Sequence, residues 1–159
     1  MESCLSKLKK DYEKLRAKYK LPSFQELNVE FEIEKLQDRE TDFLLRQARR
    51  VMIEKIAVVL RFLEIMVNPA EGQTPLYVFS VIKNISPDMK KIIEKIYKEL
   101  TVIELNSLSL DIDYDKKNEA KFIKDVAARW PSIKKDLKEI TKKLGVVWTH
   151  EKMHDGYFG

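Results

Sequence analysis

The chain has 159 residues, a formal charge of +4 and 44% hydrophobic residues, enough apolar surface for one packed domain and too much for global disorder. Only 4 glycines and 5 prolines are present, which excludes collagen-like, low-complexity and turn-rich all-β chains, and so small a net charge does not by itself imply a nucleic-acid partner. Lys and Glu dominate the 35% charged residues and side-chain amides are scarce, a composition trend of hyperthermophile proteins, whose ion-pair networks lose less to desolvation when hot.

Residues 3–20 predict an amphipathic helix capped by Ser3. Leu5, Leu8, Tyr12, Leu15 and Tyr19 alternate steps of three and four, which makes a short a/d seam. Pro22 ends the helix by pushing Leu21 out of helical space. Ser23 and Glu26 have the spacing of a capping box and open a short second helix. Val29, Phe31 and Ile33 alternate with acids, the pattern of a strand or of an extended loop pinned at three points. Residues 39–67 carry the strongest helix signal, with Asp38 or Thr41 as cap and Asn68-Pro69 as stop. With Arg46 at zero on a helical wheel, Arg50, Glu54, Arg61 and Glu64 fall within about 80°, and Leu44, Ala48, Val51, Met52, Val58, Val59, Phe62, Leu63 and Met66 span about 120° to 260°. So wide an apolar arc belongs at the centre of a core.

Thr74-Pro75 starts an element at Leu76–Ile82, and Ser86-Pro87-Asp88 starts a helix through Met89, Ile93, Ile96 and Leu100. Residues 101–114 read two ways. Val102, Leu105, Leu108 and Ile112 extend that helix to about Asp111, whereas Leu108, Leu110, Ile112 and Tyr114 alternate like a strand. The helix is favoured, because a lone strand leaves its backbone groups without partners. Asp115 caps a last helix whose stripe runs from Phe122 to Leu144, with a kink or brief break at Pro131 and a stop at Gly145. Together these elements predict an all-α single domain over 1–159, a bundle of five or six helices around 39–67. In it, 1–20 is a semi-detached N-terminal helix and 146–159 an aromatic tail. The competing fold is α+β, with a small sheet pairing 101–114 with 29–33 and 77–82.

The sharpest chemical match is His150-Glu151-Lys152-Met153-His154, where histidines four apart on a helix bind zinc and the glutamate activates water. No third histidine follows, so an ordinary polar tail outweighs both a metal clip and a zinc-dependent hydrolase. Residues 116–145 hold a local excess of lysine, with Lys117, Lys121 and Lys124 in one row and Lys134, Lys138 and Lys142 in another. Such rows track phosphates by counterion release. They are more often a solvated face, balanced here by the acidic segment 21–45. Lys55 falls at about 180° on the wheel, inside the apolar arc, and is expected to snorkel out or to pair with an acid such as Glu104. Arg46, Arg49 and Arg50 read as a surface salt-bridge strip. The single cysteine, Cys4, builds no disulfide framework and suits a reducing cytoplasm. It also lacks the positioned base that a catalytic thiol needs. No apolar run has the length of an export signal or a membrane span. No Ser-His-Asp set, phosphate loop or calcium loop is present. Asp111, Asp113 and Asp115 alternate without the glycine and distal glutamate of the calcium motif.

These features lead to a non-enzymatic helical interaction module, without cofactor, binding another protein or itself. The Leu5–Tyr19 seam and the aromatic tail are its candidate docking surfaces. An accessory protein binding nucleic acid through the C-terminal lysines comes second, and a zinc hydrolase at His150 and His154 third.

Overall fold

Six α-helices and one 3-10 turn make up the regular structure of the computed structural model, which describes residues 3–38, 42–70 and 74–150. They are α1 (Cys4–Tyr19), α2 (Phe24–Phe31), the 3-10 turn (Ile33–Leu36), α3 (Leu44–Val67), α4 (Leu76–Asn84), α5 (Pro87–Ile112) and α6 (Lys116–His150). The fold is all-α, and no strand occurs among the described residues.

The N-terminal layer follows its capping signals. Ser3 accepts from the Ser6 amide and starts α1, and a left-handed Lys20 ends it. The Tyr12 hydroxyl then donates to the Pro22 carbonyl at 2.8 Å and ties the helix to the next turn. Ser23 and Glu26 form the predicted capping box: the Ser23 amide donates to Glu26 and the Glu26 amide to Ser23. The strand-like alternation at 29–33 has another origin. Phe31 is the last residue of α2, left-handed Glu32 (φ 58°) reverses the chain, and Ile33 opens the 3-10 turn. Helix end and turn each send one apolar side chain inward, which imitates a period of two. Asn28 holds the corner by accepting from the Glu34 amide and donating to its carboxylate.

The long helices build the core. α3 lies at its centre, packed most extensively on α5 and then on α6, while α4 packs chiefly on α6. α3 starts at Leu44, later than expected, with Phe43 as an N-cap residue that makes no side-chain cap bond. Asp38 is an exposed turn residue and Thr41 lies outside the described residues. The buried face of α3 is also rotated from the predicted arc. Leu45, Ile56 and Leu60 are buried and Val58 is exposed. The buried positions of α3 run from about 140° at Val51 to about 320° at Leu60, a choice of face that periodicity alone does not make.

α6 runs unbroken through both of its expected interruptions. Pro131 has no N–H to offer the Ala127 carbonyl, but its ring is exposed. On the opposite side Ile123, Val126, Trp130, Ile133, Ile140 and Leu144 stay buried in one phase and hold the rod together. Gly145 does not stop the helix either. Leu144 and Val147 continue to pack on the core, and Trp148 meets Tyr77 edge-on at 5.7 Å, so five further residues are carried to His150. Residues 151–159 lie outside the described residues.

Candidate functional site

Three places in the bundle gather polar or unspent apolar groups. The first is a buried clip where the start of α3, the end of α5 and the start of α6 meet. The Arg49 and Glu119 side chains are completely buried. Arg49 donates from Nε to Glu119 at 2.7 Å and from Nη2 to Glu119 at 3.2 Å and Asp111 at 2.6 Å. Its Nη1 donates to the Ser107 carbonyl at 3.0 Å and to the Ser107 hydroxyl. Arg50 shares the same Asp111 oxygen. The neighbouring Arg46 guanidinium lies 4.5 Å from the Tyr114 ring centroid and 5.7 Å from that of Phe43, with Nε 3.8 Å from Glu119.

Burial works against the charge on Arg49, but the bonds to Glu119 and Asp111 overcome it and raise the pKa above the usual arginine value. Asp111 is lowered, first by its bond to Arg49 and against the effect of burial. Every nitrogen of the Arg49 guanidinium and both Glu119 oxygens are engaged within the chain. Such a cluster ties α3, α5 and α6 together, and Arg46 Nε beside it is a buried nitrogen without a hydrogen-bond partner.

The second place joins α2, α3 and α6. The Glu30 carboxylate accepts from Trp130 Nε1 at 2.9 Å and from Lys134 Nζ at 2.7 and 2.9 Å. Lys55 reaches the Glu30 carbonyl and lies 5.8 and 5.7 Å from the ring centroids of Phe31 and Trp130, which meet at a tilt of 49° with centroids 5.1 Å apart. Lys55 therefore snorkels from the apolar face, as one reading predicted. Its anchor is a carbonyl of α2, and Glu104 is exposed on α5. Beside this cluster lies a groove of about 710 Å³, with Lys20, Ser23, Val29, Lys124 and Pro131 among its walls.

Glu30 is held below the usual carboxylate range, first by the Lys134 bond. Glu30 and Asp111 thus bind protons more weakly in the folded chain than in the unfolded one. Their stabilisation is complete above the ordinary glutamate value, about pH 4.3, and fades as pH falls through the lowered folded values. We expect a thermal midpoint that is level between neutral pH and about pH 5 and falls below about pH 4. Glu30→Gln should make that acid limb shallower. Superimposable limbs for the two proteins would remove the Glu30–Lys134 contact from the account.

The third place is apolar. α5 buries Met89, Ile93, Ile96, Leu100 and Ile103 on one side. On the other side it exposes Val102 (50%), Leu105 (59%), Leu108 (55%) and Ile112 (81%). Thr101, Leu105, Leu108 and Ile112 repeat at a/d spacing, about 130° around the helix from the buried stripe. A smaller groove of about 340 Å³ lies among Phe62, Met66, Tyr77, Val81, Leu144 and Trp148.

The residues singled out by sequence are distributed unevenly over these places. In the N-terminal seam, Leu8 and Tyr12 are buried in the core and Leu5, Leu15 and Tyr19 pack against it, so this chain's own fold occupies that face. Lys117, Lys121, Lys138 and Lys142 are exposed on α6, Lys124 lines the larger groove, and Lys134 is tied to Glu30. The His150 side chain and all of His154 lie outside the described residues. No group of three or more metal-ligating side chains occurs among the described residues. No helix of the described residues is long and apolar enough to cross a membrane.

Sequence reasoning missed two features. Arg49 falls at about 300° on the α3 wheel, between Ile56 at about 280° and Leu60 at about 320°, a position that already marks it as core. The outer α5 stripe is visible as a second apolar phase that begins at Thr101. No protein-family model, curated protein or solved structure matches the chain.

Proposed function

We propose that this chain is a non-enzymatic helical interaction module that docks a partner helix along the outer face of α5. The observation that carries the reading is the exposure of Val102, Leu105, Leu108 and Ile112 on a helix whose opposite face is already fully used. A helix with two apolar faces needs cover on both sides, and α3 and α6 cover one. The polar clusters favour this reading over an enzyme, because Arg49, Glu119 and Glu30 spend their bonds on other groups of the same chain. The decisive experiment is affinity isolation from the native cell with the intact chain and a Leu105→Asp/Leu108→Asp variant. A stoichiometric partner, or a second copy, retained by the first and lost by the second supports it. Retention unaffected by the substitutions overturns it.

A second reading has a separate observation behind it. Lys117, Lys121, Lys138 and Lys142 all face solvent along α6, spread over about 37 Å of helix at 1.5 Å per residue. Such a row fits the backbone of a nucleic acid. Affinity for random duplex should then fall steeply with salt, and Lys→Ala changes at two of these positions should reduce the logarithmic slope by about 2. Absence of binding at low salt removes this reading.

A further inference from the structure

We infer that the partner helix on α5 is α5 of a second copy of this chain, packed antiparallel about a two-fold axis between Leu105 and Leu108. This rests on the docking reading above and names its partner. The seam is self-complementary when reversed. In an antiparallel pair, a positions of one helix meet d positions of the other. Taking Leu105 and Ile112 as a and Thr101 and Leu108 as d, reversal sets Leu105 on Leu108 of the other copy and Thr101 on Ile112. All four seam positions are then matched within one register.

Charge selects the same orientation. Between residues 101 and 115 the chain carries Glu104, Asp111, Asp113 and Asp115 and no basic residue. Asp111 is already paired with Arg49 and Arg50. The preceding half of α5 carries Lys90, Lys91, Lys95 and Lys98 against Asp88, Glu94 and Glu99, so its net charge is weakly positive. Antiparallel packing brings exposed Lys98 of each copy towards the acidic end of the other, at both ends of the seam. Parallel packing would set Lys98 on Lys98 and Asp113 on Asp113, and like charges in contact disfavour it. A two-fold pair is also closed, so one apolar face covers the other and no third copy is recruited.

Length is no obstacle here. The seam from Thr101 to Ile112 spans only about 17 Å, too short for a free coiled coil. Each α5 is already held helical by its own bundle, so the ordering cost of a free helix does not arise on pairing.

Sedimentation of the full chain over a concentration series tests the pairing, beside Leu105→Asp and Leu108→Lys, with circular dichroism as a check on folding. Cross-linking adds the orientation. In a Cys4→Ser background, a Leu105→Cys chain mixed with a Leu108→Cys chain should form disulfide-linked pairs faster than either chain alone. A dimer that dissociates on dilution, is weakened roughly 100-fold by Leu105→Asp and cross-links in the mixture supports the inference. A dimer indifferent to both substitutions, or one that links like residues preferentially, overturns it. A monomer at every concentration overturns it as well. If that monomer retains another protein lost on Leu105→Asp/Leu108→Asp, the docking reading survives; if it retains none, both fall.

Discussion

Arg49→Ala is expected to cost about 3–5 kcal/mol of stability. The guanidinium is fully buried and joins Glu119 of α6 to Ser107 and Asp111 of α5. Its removal leaves the Glu119 carboxylate buried in the core without this partner. Arg46, whose Nε stands 3.8 Å away, supplies no direct bond in compensation. Arg49→Lys should recover little, because one ammonium replaces a planar fork and cannot serve both Glu119 oxygens and the Ser107 carbonyl together. The double substitution Arg49→Met with Glu119→Leu should restore most of the loss, since it removes both desolvated charges and keeps apolar volume. Urea denaturation of the four proteins measures this directly. A loss below about 1 kcal/mol for Arg49→Ala would show that the clip is not buried in solution.

Trp130→Ala should cost a similar amount, about 3–5 kcal/mol, by a different route. The indole is buried on α6 one residue before Pro131, packs on Phe31 at 5.1 Å and donates to Glu30 at 2.9 Å. It anchors α6 where the helix lacks a backbone hydrogen bond. Truncation removes the apolar volume, the ring contact and one of the bonds to Glu30. Trp130→Phe keeps most of the packing and loses the N–H, so its cost should be nearer 1–2 kcal/mol. The two variants together separate packing from hydrogen bonding. Equal losses would mean that the bond to Glu30 carries the energy, and no loss in either would contradict the burial of the indole.

The lysines of α6 show why a charge row in a sequence is a weak guide to function. Lys134 and Lys138 stand one helical turn apart and look alike on a wheel, but Lys134 is bonded to Glu30 of α2 and Lys138 is exposed. The partner is more than a hundred residues distant, and no local pattern announces it. The α1 seam teaches the converse. Leu8 and Tyr12 have the spacing of a docking surface because they do dock, onto this chain's own α2 and 3-10 turn.

Helix content, the caps at Ser3, Ser23 and Ser86 and the central place of α3 were legible from residue order alone. They depend on interactions within one or two turns, or on an apolar periodicity that any core rewards. The path of α6 through Pro131 and Gly145 was not legible, since a local penalty of a few kcal/mol yields to a stripe of core contacts that the two residues do not themselves announce. Nor was the choice of which apolar face is buried. α5 presents two, and only the positions of α3 and α6 decide that Ile96, Leu100 and Ile103 go inside while Leu105, Leu108 and Ile112 are left outside the bundle. Burial is a property of what lies opposite a side chain, and for helices that meet across the bundle, that neighbour comes from a distant part of the chain.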